Sequence, residues 1–479
     1  MRLSSRMGVA CGAVAIAAAI GSGPILRAEA QEPLPELGEV CDRAPTACLL
    51  FQDAWATVGE IGRAAGSGGP DPYLERHAQA LVAIGLGLSA FGLDEPAGEA
   101  VDRAIAMMAA DPLGARLTDF RLMLAVGRHT TYGLLDGQGV VTDRFADPSI
   151  EWRVLALLAQ QQLQFGLDAD AAATIQELDE TIADIPPNPW PLLVLAELRT
   201  RTGRPEEALP LVEAFAANDL DWRDLRSVAD AGAGLAEALA AAGRVAEAEH
   251  LLELWNDPLD QSILRAGLAA GLAQAGEADA AAEHLATAVG TVTGAEDATP
   301  YFAADALVQI GTAYDRAGLG DRAVEVLDLA LAEIARTDDF PSVNQVLRHI
   351  GQAHLDAGRM DLWQQVLAAH LEAIAGEDNG ATQGSALNMI VLAQANAGLF
   401  DGAEETIAAI PFDGARTAGL ARLAQGLAAD GQVEAARQRL LEARALALSM
   451  SSGSLQADAL LAVVDGQVIA ALLAYQDGE

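Results

Sequence analysis

A glycine that carries the same neighbours at the same offsets recurs along most of this chain. It limits the possible folds more than any other feature of the sequence. In QIGTAYDRAGLGDRAVEVLDLALAEI, residues 309–334, the apolar or small residues fall at Ile310, Gly311, Tyr314, Gly318, Ala323, Leu327 and Ala330. Around Gly358 stand Ile350, Gly351 and His354, then Trp363 and Leu367; around Gly398 stand Ile390 and Val391, then Ala403 and Ile407. Gly431 follows Leu423, Ala424 and Leu427 and precedes Ala436, Leu440 and Ala443. Gly276 and Gly243 repeat the arrangement, the first with Leu268, Ala269, Leu272, Ala281, Leu285 and Ala288, the second with Leu235, Ala236, Leu239, Ala248, Leu252 and Trp255. Gly203, Gly166 and Gly92 extend the set, with Ala208, Ala171 and Ala97 each five residues on.

The pattern predicts a helical hairpin. Apolar residues at intervals of three and four precede each glycine, the glycine is a natural left-handed stop, and a second helix restarts within a few residues. Asp321, Asp361 and Glu434 place negative charge at the start of that second helix, where the macrodipole favours it. The alanine five residues after the glycine, and the Gly or Ala seven before it, are small because the two helices approach closely there. A single hairpin cannot bury its apolar face, so such units occur stacked.

Residues 310–330 resemble the tetratricopeptide repeat family, whose pattern runs from a large apolar residue through Gly or Ala, a second large residue and Gly, to Ala, a bulky residue and a final Ala. The nine glycines cover roughly residues 78–447. The resemblance implies an all-α fold, a right-handed α-α superhelix of hairpins. From Gly166 onward the anchors lie 37, 40, 33, 42, 40, 40 and 33 residues apart, where the family repeat is about 34, so several hairpins need longer helices or connections. Gly92 and Gly166 stand 74 residues apart, and the middle of that interval, GRHTTYGLLDGQGVVTD at 127–143, does not fit the pattern and is expected to be a degenerate repeat or an inserted loop. The expected organisation is a signal peptide at 1–30, a helical cap at 31–76, a first repeat with the irregular segment at 77–150, an array at 151–447 and a capping helix at 448–479. Members of the family commonly bind peptides along the concave face formed by successive first helices. Here that face would hold Asp305, Thr312 and Asp315, then Gln345, Arg348 and Gln352, then Asn388 and Asn396, then Gln425. Amides suit the role because each offers a donor and an acceptor to a peptide backbone. The basic clamp with which some members hold a carboxylate is not evident, Arg348 being the one candidate.

Charge narrows the choice of partner. The chain of 479 residues carries a formal charge of −39 and all 29 of its basic residues are arginine, a surface that repels phosphate backbones and anionic lipid. Nucleic acid is therefore not an expected partner. The acidity and the absence of lysine are read as a signature of genome composition or habitat in preference to a face evolved for a cationic partner. Arg2 and Arg6 before the apolar run Met7 to Ile20, with Ala28-Glu29-Ala30 following, describe a signal peptide cleaved after Ala30. The mature chain would start at Gln31 with 26 basic and 67 acidic residues, a charge of −41. No later run of about 18 apolar residues is free of charge, so stable membrane insertion is not expected and the protein is read as periplasmic or secreted. Cys11 sits too early, and without the upstream leucine, for a lipid anchor. In an exported chain Cys41 and Cys48 are expected to form a disulfide around Pro45; a redox pair or metal site is the less favoured alternative, since CDRAPTAC lacks CxxC spacing and a nearby histidine.

Catalytic signatures are scarce. The sequence has no GxSxG, Walker loop, HExxH, CxxC or strand-borne GxGxxG, and DGQGVVTD at 136–143 lacks the acids that close a calcium loop. Tyr314, Asp315 and Arg316 are read as packing plus a solvated face. His354, Trp363 and His370, with His349 nearby, replace residues that are large apolar, Ala and Ala in the other repeats. They make either a metal or ligand pocket or, the favoured reading, a repacked interface in which Trp363 fills the space over Gly351. No cofactor is expected. The function expected from the sequence is an exported scaffold that binds a protein or peptide of the cell envelope without catalysis. An envelope enzyme on a helical toroid, acting on glycans, is the alternative, disfavoured by five Tyr, six Trp and no obvious carboxylate pair. A passive structural solenoid is the third reading.

Overall fold

In the computed structural model of the chain the described residues are 37–64, 72–109, 122–123, 125–126, 145, 148–164, 167–183, 189–216, 222–295 and 297–477. The expected signal peptide, Cys11, Gly166 and the segment 127–143 lie outside them. The described residues form helices joined by short turns. Two come first among the described residues, α1 (Gly38–Arg43) and α2 (Pro45–Ala64). Nine hairpins follow among the described residues. The first four pair α3 (Pro72–Ala90) with α4 (Asp94–Met108), α5 (Pro148–Gln164) with α6 (Asp168–Ala183), α7 (Pro189–Arg201) with α8 (Pro205–Ala216), and α9 (Trp222–Ala241) with α10 (Val245–Glu253). The next three pair α11 (Pro258–Gln274) with α12 (Ala278–Thr293), α13 (Pro300–Arg316) with α14 (Gly320–Ile334), and α15 (Phe340–Asp356) with α16 (Met360–Ala375). The last two pair α17 (Gly380–Asn396) with α18 (Phe400–Ala409) and α19 (Asp413–Ala429) with α20 (Val433–Ser449), and α21 (Gly453–Asp477) ends the chain.

Eight of the hairpin turns are set by a glycine. Gly92, Gly203, Gly243, Gly276, Gly318, Gly358, Gly398 and Gly431 are the described residues with left-handed φ, and all eight are anchors of the sequence pattern. At Gly318, with φ +72°, the Leu319 N–H donates to Tyr314 O at 2.9 Å and the Gly318 N–H to Asp315 O at 2.9 Å, which closes the end of α13. A Cβ at Gly318 would meet nothing within 4 Å, so a side chain there costs conformation and not space. Gly318→Val is accordingly expected to lower stability by about 1–3 kcal/mol, and a thermal midpoint equal to that of the parent chain would place the helix end elsewhere. The starts are fixed as well: Asp257, Thr299, Asp339 and Asn379 each accept a backbone N–H in the first turn of α11, α13, α15 and α17.

Small residues let the paired helices close. Ala97, Ala171, Ala208, Ala248, Ala281, Ala323, Ala403 and Ala436, each five residues after its glycine, are all 0% exposed. Ala323→Leu should therefore overpack the α13–α14 hairpin by about 1–3 kcal/mol, seen as a lower denaturant midpoint. Gly311 faces the Leu327 side chain, which a Cβ would approach to 2.9 Å. First helices of neighbouring hairpins come closer still. A Cβ on Gly267 of α11 would lie 2.1 Å from Ala233 O of α9, and one on Gly271 2.2 Å from Glu237 O. The two helices touch backbone to backbone.

The array does not end in free caps. The terminal helix α21 packs against α2 and α3 as well as α19 and α20, and one core joins residues of both ends of the chain. Phe51 is buried edge-on to Phe91 with centroids 5.4 Å apart, and Phe91 meets Tyr475 at 4.9 Å. The Thr57 hydroxyl donates to Gln467 Oε1 at 3.1 Å inside this seam. Around its rim Arg43 donates to the Tyr475 hydroxyl at 2.9 Å, Arg437 to Asp53 at 2.9 Å and Arg444 to Glu60 at 2.6 and 2.9 Å, while Arg76 pairs with Asp458. Leu122, Ala125, Val126 and Val154 continue the same core toward α5, so the solenoid closes on itself. In length and composition α21 could cross a membrane, yet most of it is buried inside the protein, as a core helix is. Cys41 and Cys48 form a disulfide across the α1–α2 corner.

Candidate functional site

The inner faces of four successive first helices, α9, α11, α13 and α15, enclose a cavity of 1270 Å³. Its floor is low because α11 presents Ile263, Ala266 and Gly267 there, pressed against α9. Longer polar side chains from α9 and α13 meet over that floor. Arg316 donates to Glu237 Oε2 at 2.7 Å, and Gln309 donates to Asp230 Oδ1 at 3.1 Å. Gln274, from α11 itself, donates to the other Glu237 oxygen at 2.7 Å. On the opposite wall Arg359 grips Asp315 through two bonds of 2.5 and 2.6 Å, and its Nε donates to His354 Nδ1 at 3.0 Å. Fork-to-fork pairing of this kind fixes both side chains in the plane of the bond. Arg348 lies 3.0 Å from His349 Nε2, whose other ring nitrogen stands 3.7 Å from Asp305 Oδ1. Gln352 donates to Asp356 at 2.6 Å.

Five of the residues assigned to the concave face from the repeat pattern line this cavity: Asp305, Thr312, Asp315, Gln345 and Gln352. Arg348 is exposed beside it, against a small neighbouring cavity shared with Gln352. Asn396 is exposed on α17 and Gln425 half-buried on α19, both outside the cavity. Asn388 is a correction. It is 6% exposed, donates to Ala415 O at 3.0 Å, and its Oδ1 stands where a Cβ on Gly419 would come within 3.0 Å. The position ten before the anchoring glycine faces the next first helix. Val308 occupies that position in the α13 repeat and is buried in the same way, whereas the long Arg348 reaches out to solvent. Asp230 and Glu237 were not assigned from the sequence, although they stand thirteen and six residues before Gly243, the same offsets as Asp305 and Thr312 before Gly318.

The histidine cluster packs inside the α15–α16 hairpin. Trp363 lies over Gly351, its ring 3.8 Å from where a Cβ would stand, and both imidazoles are buried. His354 accepts from Arg359, and His370 Nε2 lies 2.7 Å from Asn344 Oδ1. No group of three potential metal ligands occurs among the described residues. Burial lowers the His354 pKa, aided by the Arg359 guanidinium. Burial, and after it the Arg348 guanidinium, lowers that of His370 from 6.5 to about 4. Burial on α3, and after it the Arg103 guanidinium, likewise lowers His77 to about 4. These rings stay neutral in the fold while the unfolded chain takes up protons near pH 6.5. Stability from His370 and His77 is therefore complete above pH 6.5, falls as pH drops toward 4, and is lost no further below that, and His354 acts in the same direction. His370→Gln, which keeps a donor for Asn344, should flatten the fall of the melting midpoint across this window. An unaltered slope would show that His370 is charged in the fold.

No protein-family profile matches the chain, and no curated protein matches it. Two solved structures are similar in part. A crystal structure of a protein from Thermococcus onnurineus NA1 is 14% identical, covering 70% of this chain and 98% of its own, with a TM-score of 0.25. A circular tandem repeat protein with novel repeat topology and enhanced subunit contact surfaces is 16% identical, covering 85% of this chain and 98% of its own, with a TM-score of 0.26. At these scores neither likeness bears on shape or function. The helical-repeat fold rests on the recurrent glycine turns and the stacked hairpins themselves.

Proposed function

We propose that the protein is an exported scaffold of tetratricopeptide-like hairpins that binds a protein or peptide segment on its concave face and catalyses no reaction. The observation that carries this reading is the 1270 Å³ cavity, floored by apolar residues of α11 and walled by amides, hydroxyls and carboxylates of the neighbouring repeats. It is larger than the roughly 300–1,000 Å³ that encloses most small ligands. Repeat arrays present such inner walls as a consequence of curvature, with each repeat adding one row of side chains. The Cys41–Cys48 disulfide supports an oxidising destination, and the reading places the mature N-terminus at Gln31 in the periplasm or outside the cell.

The test is a photo-crosslinking amino acid placed at Gln352, inside the cavity, or at Glu372, exposed on α16, in cells producing the full chain. A discrete adduct from position 352 that is absent from position 372, identified as one envelope protein, supports the scaffold reading. Equal adducts from both positions, or none from position 352, would sink it. Intact-mass measurement of the recovered protein reads the cleavage site at the same time.

A further inference from the structure

We infer that the segment recognised in this cavity is a short basic peptide, rich in arginine or lysine; the inference rests on the scaffold reading above and names its partner chemistry. Among the described residues the cavity wall carries six carboxylates, on Asp230, Glu237, Asp305, Asp315, Asp321 and Asp356, against two guanidinium groups, on Arg316 and Arg359. Carboxylates therefore outnumber guanidinium groups by four on this wall. Concave walls with low-dielectric backing focus such a field and concentrate cations from solution more than an equal charge on a convex surface does. The two cations that line the cavity are held by Glu237 and Asp315, so they are not offered to an incoming carboxylate.

A small cation alone would not use what else is present. Tyr301 and Phe302, with ring centroids 5.2 Å apart, stand on the same wall, and aromatic faces attract guanidinium and ammonium groups. Gln309, Gln345 and Gln352 add donors and acceptors for the peptide backbone between the charged side chains. A basic peptide engages all three kinds of group together, whereas an acidic segment would set its carboxylates against the excess charge.

The experiment uses the full mature chain and three fluorescent dodecapeptides in which alanine alternates with arginine, glutamine or glutamate, titrated by anisotropy at about 150 mM salt, where contacts beyond ~8 Å are largely screened. Two double variants accompany the parent protein: Asp305→Asn with Asp356→Asn in the cavity, and Glu283→Gln with Glu372→Gln on second helices outside it. Both are isosteric, and circular dichroism checks that each is folded. The arginine peptide is expected to bind about tenfold more tightly than the glutamine peptide, with the cavity pair weakening it several-fold and the outer pair leaving it unchanged. Equal weakening by both pairs would overturn the inference, because the whole acidic surface would then be responsible. Tighter binding of the glutamine or glutamate peptide, lost in the cavity pair, would overturn the basic-peptide inference while upholding the cavity as the binding site. If no peptide binds, the inference fails, and the crosslinker at position 352 then decides separately whether the scaffold reading survives.

Discussion

Replacing Gly267 with leucine is expected to destabilise the centre of the array more than any other substitution of comparable size. Even the first carbon of a side chain at this position would lie 2.1 Å from Ala233 O and 2.7 Å from the carbonyl carbon behind it. Both are main-chain atoms of a packed helix, so no rotamer change relieves the clash; α9 and α11 must separate along their length. Gly271, whose Cβ would lie 2.2 Å from Glu237 O, seats the next turn of the same contact. Overpacking in a core usually costs about 1–3 kcal/mol, and a clash with backbone belongs at or above the upper end. Gly234, in the facing helix, has nothing within 4 Å of its Cβ and makes a matched control. Gly234→Ala should be neutral or slightly stabilising, because alanine is the better helix former. Chemical denaturation followed by circular dichroism compares the two, and similar midpoints for Gly267→Leu and Gly234→Ala would show that α9 and α11 are not in backbone contact. Separation of these helices also lowers the cavity wall, so the variant should lose partner binding together with stability.

Phe51→Ala is expected to open the ring. Phe51 is wholly buried between the two ends of the chain, edge-on to Phe91 and close to Val468, since a Cβ on Gly87 would come within 2.8 Å of both Phe51 and Val468. Removing a buried phenyl ring costs about 3–5 kcal/mol. In a repeat array each unit is stabilised by its neighbours, so a lost seam lets both ends unravel before the middle does. The expected result is a lower first thermal transition, a larger radius of gyration by small-angle scattering, and dye binding to the exposed apolar face of α21. A variant with the parent's scattering profile would show that the salt bridges around the rim hold the ends without the aromatic contact.

The hairpins were legible because they depend on local chemistry. A left-handed turn excludes nearly every residue but glycine, and a close helix pair excludes everything but small residues, so Gly318 and Ala323 announce themselves in any repeat. The Tyr314-Asp315-Arg316 triplet resolved in the same way: Tyr314 is packed inside, while Asp315 and Arg316 are tied to Arg359 and Glu237. Side chains that project from a first helix follow the same offsets, which is why five of the nine residues assigned to the concave face line the cavity. Asn388 failed because the offset fixes a direction and not a distance: whether the position ten before the glycine is covered depends on how closely the next first helix approaches. That approach is set by Gly419 in the following hairpin, and nothing in the repeat containing Asn388 encodes it.

The sequence by itself determined the helical hairpin, its turns, the inward residues of each copy and the cysteine pair, since each depends on residues a few positions apart. The tertiary structure alone decided that α21 covers α2, that Arg316 reaches Glu237 across an intervening helix, and that the carboxylates of three repeats share one wall. These depend on the small rotation between neighbouring hairpins, which accumulates along the array until distant residues meet.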